Sequence, residues 1–192
     1  MERLTQDFFK QDTVWVAREL IGKLLCHESA NGLTIGRIVE TEAYLGKDDP
    51  ACHAARGLTK RNAVMFGPAG YHYVYVSYGV HLCYNVTTDK DDLPAAVLLR
   101  ALEPCVGIPL MQARRGNQVA LRRLCAGPGN LTKAMGITMV KNGEALAQST
   151  LYYEDDGVKP PALVTTKRIG ISCGQDLSLR FYWQDSPYIS RK

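Results

Sequence analysis

The sequence predicts an α+β fold in which short helices flank a curved, mostly antiparallel β-sheet that resembles an open barrel. Segments of strand character outnumber helical segments, two tight hairpin signals join consecutive strands, and the helical segments fall irregularly between strands. The length of 192 residues, with 46% hydrophobic and 22% charged residues, is typical of one ordinary globular domain. We therefore expect residues 1–192 to form a single domain.

The first predicted elements are a helix and a hairpin. Asp12 can cap a helix that ends at Ile21, because apolar residues recur there at helical spacing. Residues 23–28 have strand character, and Asn31-Gly32 is a strong two-residue turn signal before a long strand over residues 33–44. The chain is therefore expected to enter the sheet through an antiparallel strand pair.

A long loop and a second hairpin are expected next. Residues 45–68 lack periodicity and are interrupted by Asp, Gly and Pro, which predicts an irregular segment of the kind that often carries function. The aromatic and β-branched residues 71–78 predict a strand, and residues 80–87 predict its partner. Tyr78-Gly79 would then form the tip of the hairpin.

The rest of the chain continues with strands and short helices, without a repeat or a linker. A strand over residues 96–103 is expected to stop at Pro104, and Asn130 is expected to cap a helix over residues 131–135. The other predicted elements are a helix over residues 108–115 and strands over residues 151–153, 163–171 and 179–183.

Composition and charge exclude several classes of protein. The best apolar stretch, residues 95–102, is interrupted by Arg100 and is too short for a membrane span. The first residues lack the apolar core of a signal peptide. The six cysteines include no Cys-x-x-Cys pair, which argues against a zinc or iron–sulfur site, and they are best suited to a reducing compartment. The net charge of +4 allows a polyanionic partner but does not require one.

The long strand over residues 33–44 brings two carboxylates together. The residues expected on one of its faces are Ile38, Glu40, Glu42 and Tyr44. Its carboxylates would lie roughly 6–7 Å apart, which suits acid–base chemistry on a sugar, although both would approach the substrate from one side. The alternative is a solvated strand face on which these carboxylates pair with Arg37 or Lys47.

Aromatic residues mark the second hairpin and the loop before it. Tyr71, Tyr73 and Tyr75 share one strand face, where they could stack on bases or simply belong to the core. Tyr78 at a hairpin tip has little core to enter and could act as a wedge between base pairs. His53 in the long loop could be an acid, a metal ligand or a structural imidazole.

Polar residues are also expected where the middle strands meet. Asn85, Arg100 and Glu103 lie on neighbouring predicted strands, and cross-strand contacts are their simplest role. Since no second pair of ligands accompanies His53, the sequence predicts no metal site and no cofactor.

Six segments follow one another in a distinctive order. They are Arg37-Ile38-Val39-Glu40-Thr41-Glu42-Ala43-Tyr44, His53, Tyr73-Val74-Tyr75 with Tyr78-Gly79, Leu98-Leu99-Arg100-Ala101-Leu102-Glu103-Pro104, Cys125-Ala126-Gly127-Pro128-Gly129 and Arg168-Ile169-Gly170-Ile171. In this combination the chain resembles the alkyladenine (3-methyladenine) DNA glycosylases of the human-enzyme type. The resemblance runs from about Leu4 to Ser190, and its specificity lies in the order of the motifs.

The resemblance implies a repair enzyme that hydrolyses the N-glycosidic bond of alkylated or deaminated purines in duplex DNA. Glu42 would then act as general base on the water that attacks C1′, and Arg100 would support the site and the DNA backbone. Glu40 also matches the family motif, in a supporting position. The residues that would position the water, on a strand, are Arg168, Ile169, Gly170 and Ile171.

The resemblance also implies how DNA would be bound. Tyr44, His53 and Tyr75 would wall a pocket for the flipped base, and Asn85 would limit access for the 2-amino group of guanine. Tyr78 would fill the vacated place in the base stack. The expected partner is double-stranded DNA with damaged purines of the 3-methyladenine, 7-methylguanine, hypoxanthine and ethenoadenine class.

Further expectations concern the reaction and its setting. Because water is the nucleophile and no lysine stands in these motifs, the enzyme should be monofunctional and leave an abasic site without a lyase step. We expect a monomer without membrane contact, in the cytoplasm near the nucleoid of a bacterium or in the nucleus of a eukaryote. Two other classes stay open: a damaged-DNA binding module that excises nothing, and a hydrolase of free nucleosides or sugars.

Overall fold

The predicted α+β fold is present in the computed structural model, which describes residues 1–89 and 93–192. The helices are α1 (Gln6–Phe9), α2 (Thr13–Glu19), α3 (Ile108–Arg115) and α4 (Pro128–Met135). The strands are β1 (Glu2–Arg3), β2 (Leu24–Ser29), β3 (Gly32–Tyr44), β4 (His72–Ser77), β5 (His81–Thr88), β6 (Ala95–Val106), β7 (Leu151–Asp155), β8 (Leu163–Thr166) and β9 (Arg180–Trp183). No helix within these two ranges has the length and apolarity that a membrane crossing requires.

All strands of the described chain join one sheet, and every pairing in it is antiparallel. The strand order is β1-β7-β2-β3-β6-β5-β4, and β9 pairs with both β3 and β8. In these residues the path does not return to its first strand, so the sheet stays open as predicted. β3 lies at its centre, with β6 along one edge and β2 followed by β9 along the other. Both edges of β3 are therefore paired where Glu40 and Glu42 lie.

The predicted N-terminal helix and hairpin are confirmed, with the helix ending at Glu19 instead of Ile21 and the turn shifted by one residue. The Asp12 side chain caps α2 by accepting a hydrogen bond from the Trp15 N–H at 2.9 Å. The hairpin turn consists of residues 30–31, because Gly32 already pairs with Ser29 in the sheet. β1 and α1 precede these elements and were not predicted, since segments of two and four residues are too short to show a periodicity.

Two predicted element ends differ because backbone groups find other partners. β6 continues two residues past Pro104. Since β5 pairs only with residues 95–98 of β6, the proline nitrogen needs no hydrogen bond to a strand on that side. α4 starts at Pro128, because the first helical position does not need an N–H donor. Asn130 therefore lies inside the helix, where its side chain donates to the Ala126 carbonyl at 2.7 Å.

The strand predicted over residues 163–171 was wrong in its second half. β8 ends at Thr166, and the chain beyond it is irregular. Gly170 has a φ of 76°, which is incompatible with a strand, and the Ile169 N–H donates to the Glu42 side chain instead of to a neighbouring strand. The segment expected to position water is therefore a loop.

The pairing of β3 with β6 is irregular around Glu40, with register shifts on both sides of that residue. Such an irregularity changes the alternation of side chains between the two faces. Ile38 and Ala43 consequently belong to one buried core cluster, although strict alternation would separate them. Glu40 and Glu42 instead both contact Arg100. The predicted shared face is confirmed for the two carboxylates and wrong for Ile38.

Three hydrophobic clusters are present in the described residues, and the smallest consists of Val39, Ala101 and Ile189. The other two hold the layers together. The larger one includes Val16 of α2, Leu20 directly after that helix, Leu131 of α4 and Leu99 of β6, all of them fully buried. The smaller one joins the long loop to the sheet, and its buried members are Cys52, Ala54, Met65, Tyr73 and Ala96. The loop predicted over residues 45–68 is confirmed, since it contains two short 3₁₀ turns, His53–Arg56 and Ala63–Phe66, and otherwise no regular element.

β4 forms one edge of the sheet, and the segment 142–144 covers the first half of that edge. The His72 N–H donates to the Glu144 carbonyl at 3.0 Å, and the Val74 N–H donates to the Asn142 side chain at 3.0 Å. These bonds occupy backbone groups that would otherwise lack a partner strand.

Gly107 before α3 is a position where only glycine fits, and we expect Gly107→Ala to destabilise the protein. Its φ is +75°, and an added Cβ would lie 2.3 Å from the Leu33 carbonyl oxygen. The control is Gly157→Ala, where φ is +80° but nothing lies within 4 Å of the added Cβ. We expect about 1–2 kcal/mol of destabilisation at Gly157 from backbone strain, and roughly 1–3 kcal/mol more at Gly107 from the clash. Urea unfolding measures both, and equal losses would contradict the clash.

His72 makes the protein sensitive to acid. It is fully buried, its Nδ1 lies 2.9 Å from the Tyr84 hydroxyl, and burial lowers the pKa of its imidazole from 6.5 to about 4. Between these pH values His72 is protonated in the unfolded chain but neutral in the folded chain. The free energy of unfolding is therefore highest above pH 6.5 and falls as the pH drops toward 4. We expect His72 alone to remove about 2 kcal/mol between pH 7 and 5. Urea unfolding at both pH values should show a smaller loss for His72→Gln, but not for His81→Gln.

Candidate active site

Glu42 near the end of β3 is completely buried and held in one orientation. One carboxylate oxygen accepts a hydrogen bond from the Ile169 N–H at 2.8 Å. The other accepts from the Tyr44 hydroxyl at 2.9 Å and lies 3.2 Å from Nη1 of Arg100. Burial raises the pKa of the Glu42 carboxyl, while Arg100 and the two hydrogen bonds oppose that rise. The result is a fixed carboxylate with an increased affinity for a proton.

Arg100 on β6 bridges Glu42 to the second carboxylate of β3. Its Nε donates to Glu40 at 3.0 Å, and Glu40 also accepts from Nε of Arg180 at 2.7 Å. The Ser190 N–H and hydroxyl add hydrogen bonds to Glu40 at 2.5 and 2.8 Å. Glu40 is thus occupied with holding the guanidinium groups, which agrees with the supporting position expected for it.

The alternative of a solvated strand face is excluded. Glu40 and Glu42 are both 0% exposed, whereas a solvated face would leave them in water. Arg37, one suggested partner for them, instead makes a bidentate pair with Asp156 at 2.7 and 3.0 Å. Glu103 lies opposite Arg37 in the β3–β6 register and does not join Asn85 at a site.

A cavity of about 480 Å³ opens beside Tyr44. This volume is within the range of small-molecule sites. The predicted site residues that line it are Tyr44, His53, Tyr75, Tyr78, Asn85, Gly170 and Ile171. The predicted site residues that do not line it are Glu42, Arg100, Arg168 and Ile169. Tyr44 links the two groups, because it borders the cavity and donates to Glu42.

Aromatic rings form one wall of the cavity. The His53 ring meets the Tyr75 ring edge-on at 4.6 Å between centroids, and its Nδ1 lies 2.8 Å from the Tyr73 hydroxyl. Burial lowers the pKa of His53, which keeps the imidazole neutral at pH 7. The Arg61 guanidinium lies 5.0 Å from the centroid of the Tyr75 ring. Tyr71, predicted on the same strand face, is not part of the wall.

Asn85 and Tyr78 both line the cavity, but they differ strongly in solvent exposure. Asn85 on β5 is buried, and its side-chain amide donates to the Tyr73 carbonyl at 3.1 Å. Tyr78 lies in the turn between β4 and β5, is 86% exposed and has a φ of +48°. Val80 in the same turn is 77% exposed. The predicted exposed tip is therefore confirmed as an apolar projection beside the cavity.

Arg168 lies in the loop after β8 and binds away from the cavity. Its side chain is fully buried and makes a bidentate pair with Asp49, at 2.5 and 2.7 Å. It also donates to the Ala43 carbonyl at 3.0 Å, and its guanidinium carbon lies 4.7 Å from the centroid of the Tyr44 ring. Of the four residues expected to position water, Ile169 is the one that contacts Glu42.

Sequence reasoning missed three residues that hold this site together, namely Asp49, Arg180 and Ser190. Asp49 was read only as part of a loop-forming Asp-Asp-Pro sequence, and its partner is 119 positions away. Arg180 and Ser190 stand in segments without a motif, 140 and 150 positions from the carboxylate that they bind. No local pattern could have identified these long-range contacts.

Together these features give a small-molecule cavity with stacking surfaces and a hydrogen-bonded carboxylate directly behind it. Aromatic rings can hold a planar heterocycle, and a carboxylate with a raised pKa can take a proton from water. Burial raises the pKa of Glu42, and the positive charge of Arg100 opposes that rise by favouring the ionised carboxylate. The arrangement is suited to hydrolysis of a bond to a planar base.

Comparison with known proteins agrees with these features. A family model described as Methylpurine-DNA glycosylase (MPG) matches residues 7–187. A protein of Methanoculleus marisnigri is 51% identical over 189 residues, covering 96% of this chain and 97% of that protein. Proteins of Chlorobaculum tepidum and Legionella pneumophila strain Lens are 48% and 46% identical, covering all of this chain and 92% and 100% of their own lengths. All three relatives bear the name "Putative 3-methyladenine DNA glycosylase". The chain therefore belongs to the methylpurine-DNA glycosylase family, as its ordered motifs indicated.

Proposed function

We propose that this DNA repair glycosylase flips damaged purines out of duplex DNA and hydrolyses their N-glycosidic bond with Glu42 as general base. The observation that carries the proposal is a buried, hydrogen-bonded carboxylate directly behind an aromatic cavity. In this proposal residues 1–192 act as one glycosylase domain.

Flipping is required because the target bond is inaccessible within the stacked duplex. Extrusion of a nucleotide costs a few kcal/mol, and less for a damaged or mispaired base. Stacking of the flipped base on Tyr44, His53 and Tyr75 recovers roughly 1–3 kcal/mol per base. Tyr78 is exposed at the hairpin tip beside the cavity, so it would enter the duplex as the base leaves it.

Hydrolysis then requires water next to Glu42. The water would enter between Tyr44 and residues 169–171, because these two parts border both the cavity and the carboxylate. Departure of the purine leaves positive charge on the sugar, which the carboxylate stabilises while it accepts the proton of the attacking water. Arg100 fixes the carboxylate from behind, at 3.2 Å.

The proposed substrates are 3-methyladenine, 7-methylguanine, hypoxanthine and ethenoadenine. Alkylated purines with a positive charge leave easily, so activation of the attacking water by Glu42 is the main catalytic contribution that they require. Neutral hypoxanthine also requires protonation, which predicts a bell-shaped pH dependence. Asn85 on the cavity wall would discriminate against the 2-amino group of guanine. We further propose a monomer that acts on chromosomal DNA, in the cytoplasm of a prokaryote or the nucleus of a eukaryote.

The direct test is single-turnover excision from duplexes that carry one lesion each, followed by alkaline cleavage at the abasic site. We expect base release from duplex DNA, a steep loss of binding as salt rises, and no covalent adduct on treatment with borohydride. Tight lesion binding without release of any of the four bases would favour a binding module. Equal activity on free nucleosides, independent of salt, would favour a nucleoside hydrolase. Trapping of a covalent adduct would contradict the monofunctional mechanism.

Tyr78→Ala should weaken capture of the flipped base. An aromatic wedge contributes about 1–3 kcal/mol to stacking, so we expect roughly a 10–100-fold loss in lesion affinity. Fluorescence anisotropy with a lesion duplex measures this loss. Val106→Ala is the control, because Val106 is 44% exposed at the far end of β6. An affinity for Tyr78→Ala equal to that of the control would contradict the wedge.

A further inference from the structure

A buried ion pair outside the cavity connects two loops of the site. Asp49 and Arg168 have side chains that are 1% and 0% exposed, and their bidentate contact joins the long loop to the loop after β8. A Cβ added at Gly174 would lie 3.2 Å from Arg168 Nη2 and 3.3 Å from Pro50 Cγ. Neighbouring backbone therefore packs directly on the pair.

Asp49 organises the start of the long loop. Its two carboxylate oxygens accept hydrogen bonds from the Leu45 N–H and the Ala51 N–H, each at 3.1 Å. The Cys52 N–H donates to the Asp49 carbonyl at 2.8 Å, so the chain turns here toward His53 on the cavity wall. These bonds, together with the pair, lower the pKa of Asp49 and keep it ionised.

Arg168 reaches Glu42 by two routes. Its guanidinium lies 4.7 Å from the Tyr44 ring centroid, and the Tyr44 hydroxyl donates to Glu42. Its own chain continues into Ile169, whose N–H donates to the other oxygen of Glu42. Two of the contacts that orient the carboxylate thus depend on where Arg168 is held.

We propose that Asp49 is a positioning residue for base excision, which fixes Arg168 so that Tyr44 and the Ile169 N–H are aligned on Glu42. This inference rests on the proposed role of Glu42 as general base. A purely stabilising role is a weaker account, because a buried ion pair gains little over apolar side chains of the same volume. Arg168 Nε, moreover, is buried without a hydrogen-bond partner in the described part of the structure, so the pair is not optimised for stability.

The test variant is the double substitution Asp49→Asn with Arg168→Gln. It removes both charges, so the net charge of the two side chains stays at zero. Misplacement of catalytic groups by about 1 Å can cost about 100-fold in rate, so we expect single-turnover excision to slow by roughly 10–100-fold. Affinity for the lesion duplex should fall much less than the rate. The control is Asp156→Asn with Arg37→Gln, a bidentate pair of similar geometry whose arginine also donates to a backbone carbonyl.

The pH profile separates positioning from folding. The groups that face Glu42 are Arg100 on β6, Tyr44 and Glu40 on β3, Cys83 on β5, and Arg168 with the Ile169 N–H after β8. The hydrogen bonds from Tyr44 and Ile169 lower the pKa of Glu42, so their loss should move the acid limb of the excision rate to higher pH. A duplex with 7-methylguanine isolates this limb, since a cationic base needs no further protonation.

Each outcome decides the proposal. A slower rate with the acid limb moved to higher pH supports it, provided that the control pair matches the wild type. An unchanged rate, or a slower rate with an unmoved limb, overturns it. If the double variant does not fold, Arg168→Lys is measured in the same way, because lysine keeps the charge but cannot make the bidentate contact. Wild-type activity of Glu42→Gln in parallel would show that the assignment of the base itself has failed.

Discussion

Glu42→Gln should slow excision by about 10²–10⁴-fold, the usual contribution of a general base, while lesion binding persists. Glutamine has the shape of glutamate, so the cavity and its rings stay in place. Its amide cannot accept the proton of the attacking water, and in either orientation its NH₂ group would face a donor, the Ile169 N–H or Arg100. The measurement is single-turnover release from a hypoxanthine or 7-methylguanine duplex, with affinity determined separately by anisotropy.

Glu40→Gln is the matched control for this variant. Glu40 is also buried on β3 and also contacts Arg100, but its oxygens are occupied by Arg180 and Ser190. We expect this variant to lose stability and to keep more activity than Glu42→Gln at a temperature where both are folded. The acid limb of the pH profile for a cationic lesion should vanish in Glu42→Gln alone. Equal rate losses in the two variants would contradict the assignment of Glu42 as the base.

Arg100→Leu should destabilise the fold by about 3–5 kcal/mol at pH 7, the usual cost of removing one partner of a buried ion pair. Arg100 is 7% exposed and neutralises two carboxylates that are 0% exposed. Glu40 would keep Arg180, whereas Glu42 would lose its nearest positive charge. Urea unfolding measures the loss.

The pH dependence of this loss has a defined sign. Without Arg100 the pKa of Glu42 rises further above that of the unfolded chain, so the folded variant takes up a proton more readily as the pH falls. The stability difference from the wild type should therefore shrink between pH 7 and 5. Arg37→Leu, which breaks a pair whose side chains are 16% and 20% exposed, should cost less and serves as the control. A pH-independent difference would contradict an unpaired Glu42 as the cause.

Much of the framework could be predicted from local sequence. The strand through Glu42 follows from a turn signal and a long β-prone stretch, and α3 has the bounds that its pattern indicated. Tyr78 could be placed at a hairpin tip because glycine follows it between two strand-like segments. These features depend on neighbours within a few residues, which is the range over which sequence patterns are informative.

The parts that could not be predicted depend on long-range contacts. Residues 163–171 look like one continuous strand, yet the second half leaves the sheet because Arg168 is drawn to Asp49 and Ile169 to Glu42. The irregular pairing at Glu40, which removes Ile38 from the carboxylate face, arises between β3 and β6 and leaves no mark in either segment alone. Both differences lie at the candidate active site, and functional sites are where local preferences are most often overridden.

The covered edge of β4 has a consequence for how this protein behaves at high concentration. Exposed strand edges act as templates on which other chains assemble into aggregates. The hairpin that carries Tyr78 and Val80 combines such an edge with apolar side chains that are 86% and 77% exposed. Segment 142–144 accepts hydrogen bonds from the backbone N–H groups of His72 and Val74 on this edge. It therefore leaves fewer free backbone groups beside the exposed hairpin tip on which a strand of another copy of the chain could pair.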